Sequence, residues 1–156
     1  MNETRGLWRG KRRENGEWAL GFAACDKAPQ HRYLFLTKNP KRYGELAKAG
    51  KLPQKDNMWY GYSATKNGYD FWFDSQYNCF VSVEPILGNV GIVDTDWVII
   101  GAETGNRKNK VTPQKEWITE IVENCNSNGI PVFMKDGLLP IVGEENMRRE
   151  FPWKAE

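Results

Sequence analysis

Three linked segments decide the fold: Asp96-Trp-Val-Ile-Ile-Gly-Ala-Glu-Thr-Gly105, the stretch Thr112 to Gly129, and Ile130-Pro-Val-Phe-Met-Lys-Asp136. Trp97–Ile100 and Ile130–Met134 are apolar on successive residues rather than alternate ones. That is the pattern of strands buried on both faces, as in parallel sheets covered by helices. Between them, Trp117, Ile118, Ile121, Val122 and Cys125 recur at helical spacing and form one apolar face, with Glu116, Glu120 and Glu123 off it. Thr112 suits an N-cap, Pro113 the first helical position and Gly129 the stop. A strand–helix–strand unit of this kind implies a parallel sheet with a right-handed crossover.

Working outward, Tyr33–Thr37, Met58–Tyr62 and Cys79–Val83 read as three further strands. Lys41–Ala49 reads as a short helix, stopped by Gly50 and Pro53. The aromatic stretch with Tyr69, Phe71, Trp72, Phe73 and Tyr77 reads as core packing or a lid, with base stacking as the alternative. At the start of the chain, the run from Trp8 to Trp18 centres on Asn15-Gly16, the strongest two-residue hairpin signal. The expectation is a small β-hairpin or extended arm over 7–18 with helix from about Ala19. The competing reading is a helix from Glu17 to Lys27, interrupted by Gly21.

The chain has 156 residues, of which 40% are hydrophobic. That suits one core and excludes global disorder. No apolar run approaches the ~20 residues of a membrane helix, and Met1–Lys11 has no apolar core of a secretory signal. A cytoplasmic location is expected, with no membrane partner. Three cysteines, Cys25, Cys79 and Cys125, are widely separated. Their number and spacing suit reduced thiols, not a disulfide framework or a metal motif, so no metal ligands are assigned. Charge is unevenly spread: residues 27–55 hold eight Lys or Arg against Glu45, and residues 56–103 hold seven acids against Lys66. Arg107, Lys108, Lys110 and Lys115 follow. A basic stripe is either a solvated helix face or an attractor of phosphates and nucleic acid.

In parallel α/β folds, ligands bind beyond the carboxyl ends of the strands. Here those ends carry Lys38 and Asn39, Tyr62 and Ser63, Glu84, Glu103, and Lys135 with Asp136. Two carboxylates and two lysines are thereby expected on one rim. Glu84 is restricted by Pro85, and Glu103 lies in Gly101-Ala-Glu-Thr-Gly105, whose glycines permit close backbone approach to a ligand. Glu84, Glu103 and Lys135 are the candidate catalytic residues. Lys38, Asn39, Ser63, Thr104, Arg107 and Asp136 are the candidate ligand-binding residues. The single histidine, His31, precedes a strand at the opposite end, which disfavours a Ser-His-Asp device.

Five segments together carry a resemblance: Ala28–Pro40, Val81-Ser-Val-Glu-Pro-Ile-Leu87, Asp96–Arg107, Gly129–Asp136 and Met147-Arg-Arg-Glu-Phe-Pro152. From Ala23 to Trp153 the chain resembles the carboxyl-terminal part of an uncharacterised phage and prophage family related to radical S-adenosylmethionine enzymes. The resemblance implies a partial (β/α) barrel with a site at the carboxyl ends of its strands. With the strands read above, the expectation is an open, mostly parallel five-stranded sheet over 23–156, preceded by the basic hairpin or arm of 1–22. It implies S-adenosylmethionine as a ligand, with Glu103 and Thr104 near it. The family's three-cysteine segment, which holds an iron–sulfur cluster, has no counterpart, because no Cys-x-x-x-Cys-x-x-Cys occurs. Residues 8–22 resemble instead the start of the phage family named after YopX.

The leading expectation is therefore a truncated or recombined phage-derived barrel fragment without its iron–sulfur motif, with a non-catalytic or accessory role. Its exposed sheet edges call for a homodimer or a chain carrying the missing half. A split enzyme whose partner supplies the cluster, and a nucleic-acid-binding protein using the 27–55 stripe, are the alternatives.

Overall fold

The computed structural model describes the backbone of residues 7–9 and 17–153 and the side chains of residues 21–153. The strands are β1 (Leu7–Arg9), β2 (Tyr33–Thr37), β3 (Met58–Ala64), β4 (Asn78–Val83), β5 (Trp97–Ile100) and β6 (Val132–Met134). The helices are α1 (Glu17–Asp26), α2 (Lys41–Lys48), α3 (Lys115–Asn128) and the single turn α4 (Leu139–Val142). The strands form one open sheet in the order β1-β2-β3-β4-β5-β6. The β1–β2, β2–β3, β4–β5 and β5–β6 registers are parallel. All five expected strands are present. An order that follows the chain without reversal is how a (β/α) barrel winds, whereas a doubly wound sheet reverses at a switch point.

The beginning of the chain follows the competing reading. Leu7–Arg9 pairs in parallel with Leu34–Leu36, and a helix starts at Glu17. A parallel neighbour requires a crossover, and α1 supplies it. The expected hairpin turn, Asn15-Gly16, lies outside the described residues. Gly21 sits within α1 with open space where a side chain would be, so it interrupts nothing. Residue 22, the expected end of the arm, also falls inside α1.

Two compact units are recognisable: residues 1–62 with 71–79, and residues 63–70 with 80–156. The core of the first gathers Phe22, Phe35, Tyr43, Leu46, Leu52, Met58 and Tyr60, with Trp72 and Tyr77 packed against it. Tyr43 and Leu46 are the buried face of α2. The Tyr43 hydroxyl donates to the carbonyls of Phe35 (2.8 Å) and Gly61 (3.1 Å), so the helix is pinned to β2 and β3 by satisfied polar atoms. Phe35 stacks on Tyr60 with centroids 5.4 Å apart. Burial pushes both the Tyr43 and Tyr60 phenols well above their ordinary range. Of the aromatic stretch, Trp72 and Tyr77 take the core-packing role while Phe71 is exposed.

In the second unit, α3 buries Ile118, Ile121 and Cys125, and Gly129 closes it in the left-handed conformation (φ 66°). The helix starts later than the sequence suggested. Its N-cap is Gln114, with extended backbone, so Thr112 does not cap it and Pro113 precedes it. Pro113 is instead buried. The far edge of β6 is covered within the chain. Met134 N–H donates to Arg148 O (2.9 Å) and Glu150 N–H to Val132 O (3.0 Å), while the Glu150 carboxylate accepts from Val132 N–H (2.8 Å). An antiparallel bridge joins Phe133 to Arg149. This segment supplies, at β6, the cover that an edge strand needs. No helix among the described residues is long and apolar enough to cross a membrane.

All three cysteines are buried and free. Burial, reinforced by Glu150 and opposed by Arg148, pushes the Cys125 thiol from its ordinary 9.0 to about 12. The folded state thus binds this proton more tightly than the unfolded chain. Stability from the neutral thiol is present below pH 9 and is lost as pH rises through about 12. Two results are expected. Ellman reagent at pH 8 finds almost no reactive thiol in the native protein and three after unfolding in guanidinium. In addition, the alkaline fall in urea midpoint becomes shallower in Cys125→Ala.

Candidate functional site

The second unit builds its rim by extending the parallel ladder one residue beyond three strands. Gly101 N–H donates to Val83 O (3.1 Å), and Lys135 N–H donates to Ile100 O (2.9 Å). Glu84, Gly101 and Lys135 thereby follow the carboxyl ends of β4, β5 and β6. Lys135 Nζ makes an ion pair with the Glu84 carboxylate, spanning the end of β5. The Glu84 side chain lies closely over Gly101. A Cβ there would stand 3.1 Å from Glu84 Cδ and 3.2 Å from Cγ and Oε1. The Glu84 side chain is only 16% exposed and that of Lys135 39% exposed, so the pair sits at the boundary between core and solvent. Gly101 O also accepts from Ile86 N–H (3.1 Å), which turns the chain after Glu84 back over β5.

Glu103 is held by different partners. Its carboxylate receives Arg107 Nε at 2.8 Å and Nη2 at 2.9 Å, a two-pronged pairing, and Val111 N–H at 3.2 Å. The side chain is 15% exposed. These bonds close the loop between residues 103 and 111 at its base, so the residue organises a loop rather than meeting the Glu84–Lys135 pair. Thr104 is exposed on that loop. Asp136 lies at the surface, where it pairs with Arg149, whose guanidinium also donates to Met134 O and stacks over Phe133 at 5.0 Å.

Ser63 is half-buried at the end of β3. After it, the loop behind β3 joins the loop behind β4. Leu87 N–H donates to Thr65 O (2.8 Å), Asn67 N–H to Asn89 O (2.7 Å) and Gly91 N–H to the Asn67 side chain (2.7 Å). Lys38 and Asn39 belong to the first unit, at the end of β2, and both are exposed. Asn39 N–H donates to Thr37 Oγ1 at 3.0 Å. Of the 27–55 basic residues, Arg42 pairs with Glu45 and Lys55 with Asp26. His31 is exposed beside Gln30.

Sequence reasoning found the charged residues of the rim but missed what organises them. It did not see that Gly101 makes room for Glu84, although a glycine directly after an apolar strand was a signal. It also missed the part of Arg149, which no spacing rule connects to Asp136. Among the described residues, which include all three cysteines, no three His, Cys, Asp or Glu side chains stand together as metal ligands.

The close approach at Gly101 has a measurable consequence. Gly101→Ala is expected to lower stability by about 1–3 kcal/mol, the usual range for overpacking. Glu84→Ala removes the three atoms the new methyl group would meet, so the double variant is expected to be more stable than the sum of the single effects. Urea denaturation of the four proteins completes the cycle. Strict additivity would show that Ala at 101 does not press on Glu84.

No curated protein and no solved structure matches this chain. Residues 17–140 match the family described as "Protein of unknown function (DUF5131)". That match begins at the first residue of α1 and runs into α4, taking in every strand from β2 to β6. On that coverage, the chain belongs to the DUF5131 family.

Proposed function

We propose that the rim of the second unit binds S-adenosylmethionine and that the chain acts through binding, as an accessory protein, rather than by radical chemistry of its own. The observation that carries the reading is the Glu84–Lys135 pair across Gly101. An α-amino-acid head group is a zwitterion. A carboxylate and an ammonium held side by side at a partly desolvated rim complement it charge for charge. Glu84 suits the ligand's ammonium and Lys135 its carboxylate. The Glu84 side chain packs where Gly101 lacks a Cβ, at 3.1–3.2 Å from where that atom would stand. The resemblance to radical S-adenosylmethionine enzymes supports the choice among zwitterionic ligands. Glu103 acts here as a positioning residue, because it shapes the adjoining loop.

When bound, this ligand supplies a sulfonium centre and an adenosyl group. The chain's own contribution is to orient the amino-acid end, with a reduced water shell around two fixed charges. A role as half of a split enzyme requires a partner that brings the cluster, since the residues described here do not hold one.

Calorimetric titration of S-adenosylmethionine into the purified chain tests the reading. Binding is expected in the wild type. Glu84→Gln is expected to weaken it about tenfold or more, as loss of a hydrogen bond to a charged group costs about 1.5–3 kcal/mol. Glu103→Ala is expected to have a smaller effect. Absence of heat at millimolar ligand, or equal binding by Glu84→Gln, would overturn the assignment.

A further inference from the structure

Residues Thr104–Lys110 are seven consecutive exposed positions. Their side chains are a hydroxyl (Thr104), two amides (Asn106, Asn109) and three cations (Arg107, Lys108, Lys110), with Gly105 in the left-handed conformation at φ 93°. The loop contains no carboxylate and no apolar side chain. Glu103, the acid at its base, is occupied by Arg107 and Val111 N–H. Arg107 is further held by Asn109 O at 3.4 Å. The loop is thus tied at the base, while Lys108 and Lys110 make no ion pair with any described residue.

We propose that Thr104–Lys110 docks the phosphate backbone of a nucleic-acid strand at the carboxyl end of β5. Lys, Arg, Thr and Asn are the side chains that donate to phosphate oxygens and position a strand without reading its sequence. A protein partner is disfavoured, because the core of a protein interface needs aromatic or aliphatic anchors, and this loop offers none. The inference deepens the reading of the rim only in where it places the strand. It names the class of partner brought beside the S-adenosylmethionine site, and its readout is independent of that ligand.

Fluorescence anisotropy with labelled single-stranded and duplex 20-mers at about 50 mM salt, where phosphate contacts are strongest, tests it. Binding is expected, with log Kd rising linearly with log salt concentration. Lys108→Ala/Lys110→Ala is expected to reduce the magnitude of that slope by about 1.4 for the single strand or about 1.8 for the duplex, two phosphate contacts in each case. The arm with the tighter binding identifies the form of the strand. Lys48→Ala/Lys51→Ala, which removes the same charge from the first unit, is expected to leave the slope unchanged.

No binding at low salt would overturn the proposal. So would an equal loss in the Lys48/Lys51 control, or competition by polyglutamate as strong as by unlabelled oligonucleotide at equal charge, which would mark an acidic protein as the partner. Retained S-adenosylmethionine binding by Lys108→Ala/Lys110→Ala separates failure at the loop from failure at the rim.

Discussion

The second unit depends on one constraint: the charges that follow β4 and β6 meet over a residue that has no side chain. Lys135 reaches the Glu84 carboxylate across the end of β5, and Gly101 is what leaves the space. A parallel sheet of buried strands must bring charge to its ends, because the chain there passes from core to water. An unpaired carboxylate in that transition zone carries a desolvation penalty. Pairing offsets it, and the partial burial of Glu84 keeps the pair from behaving like a freely screened surface contact. The same residues that solve this structural problem place opposite fixed charges at the carboxyl ends of the strands.

Glu103 solves a different problem. A loop of exposed residues with three cations would cost conformational entropy to order. A carboxylate that accepts from both a guanidinium and a backbone N–H eight residues on fixes the base of that loop. What is left at the surface is an array of donors held at a defined place beyond β5. The acid is absorbed into the architecture, and the loop's outward character is basic.

The sheet's edge at β6 is closed by a return of the chain. Residues 148–150 pair antiparallel with β6, Trp97 donates its indole N–H to Glu150 O at 2.9 Å, and Trp97, Phe133, Phe151 and Trp153 pack their rings around the junction. An edge strand that would otherwise expose unpaired backbone is covered by backbone from its own unit. Arg149 joins this closure to the rim through Asp136.

The strands and the main helix were legible in the sequence because their signals are local. Successive apolar residues at Trp97–Ile100 and the helical spacing of Ile118, Ile121 and Cys125 report burial within a few residues of themselves. The terminal residues were less legible. Thr112-Pro113 is a good helix start by propensity, yet the N-cap is Gln114 and Pro113 is buried ahead of the helix. Near Asn15-Gly16 a short-range turn signal competed with the long-range pairing of Leu7–Arg9 to β2, and local chemistry cannot weigh that pairing. At the site, the sequence by itself determined which charged residues stand at strand ends, since strand and charge are both written in neighbouring residues. Only the tertiary structure decided that Glu84 pairs with Lys135 while Glu103 turns to Arg107. The Glu84–Lys135 pair joins residues 51 positions apart over Gly101, a distance that no one segment encodes. Glu103, by contrast, is taken up by Arg107 only four residues on, once the loop has folded back to bring Val111 N–H to the same carboxylate.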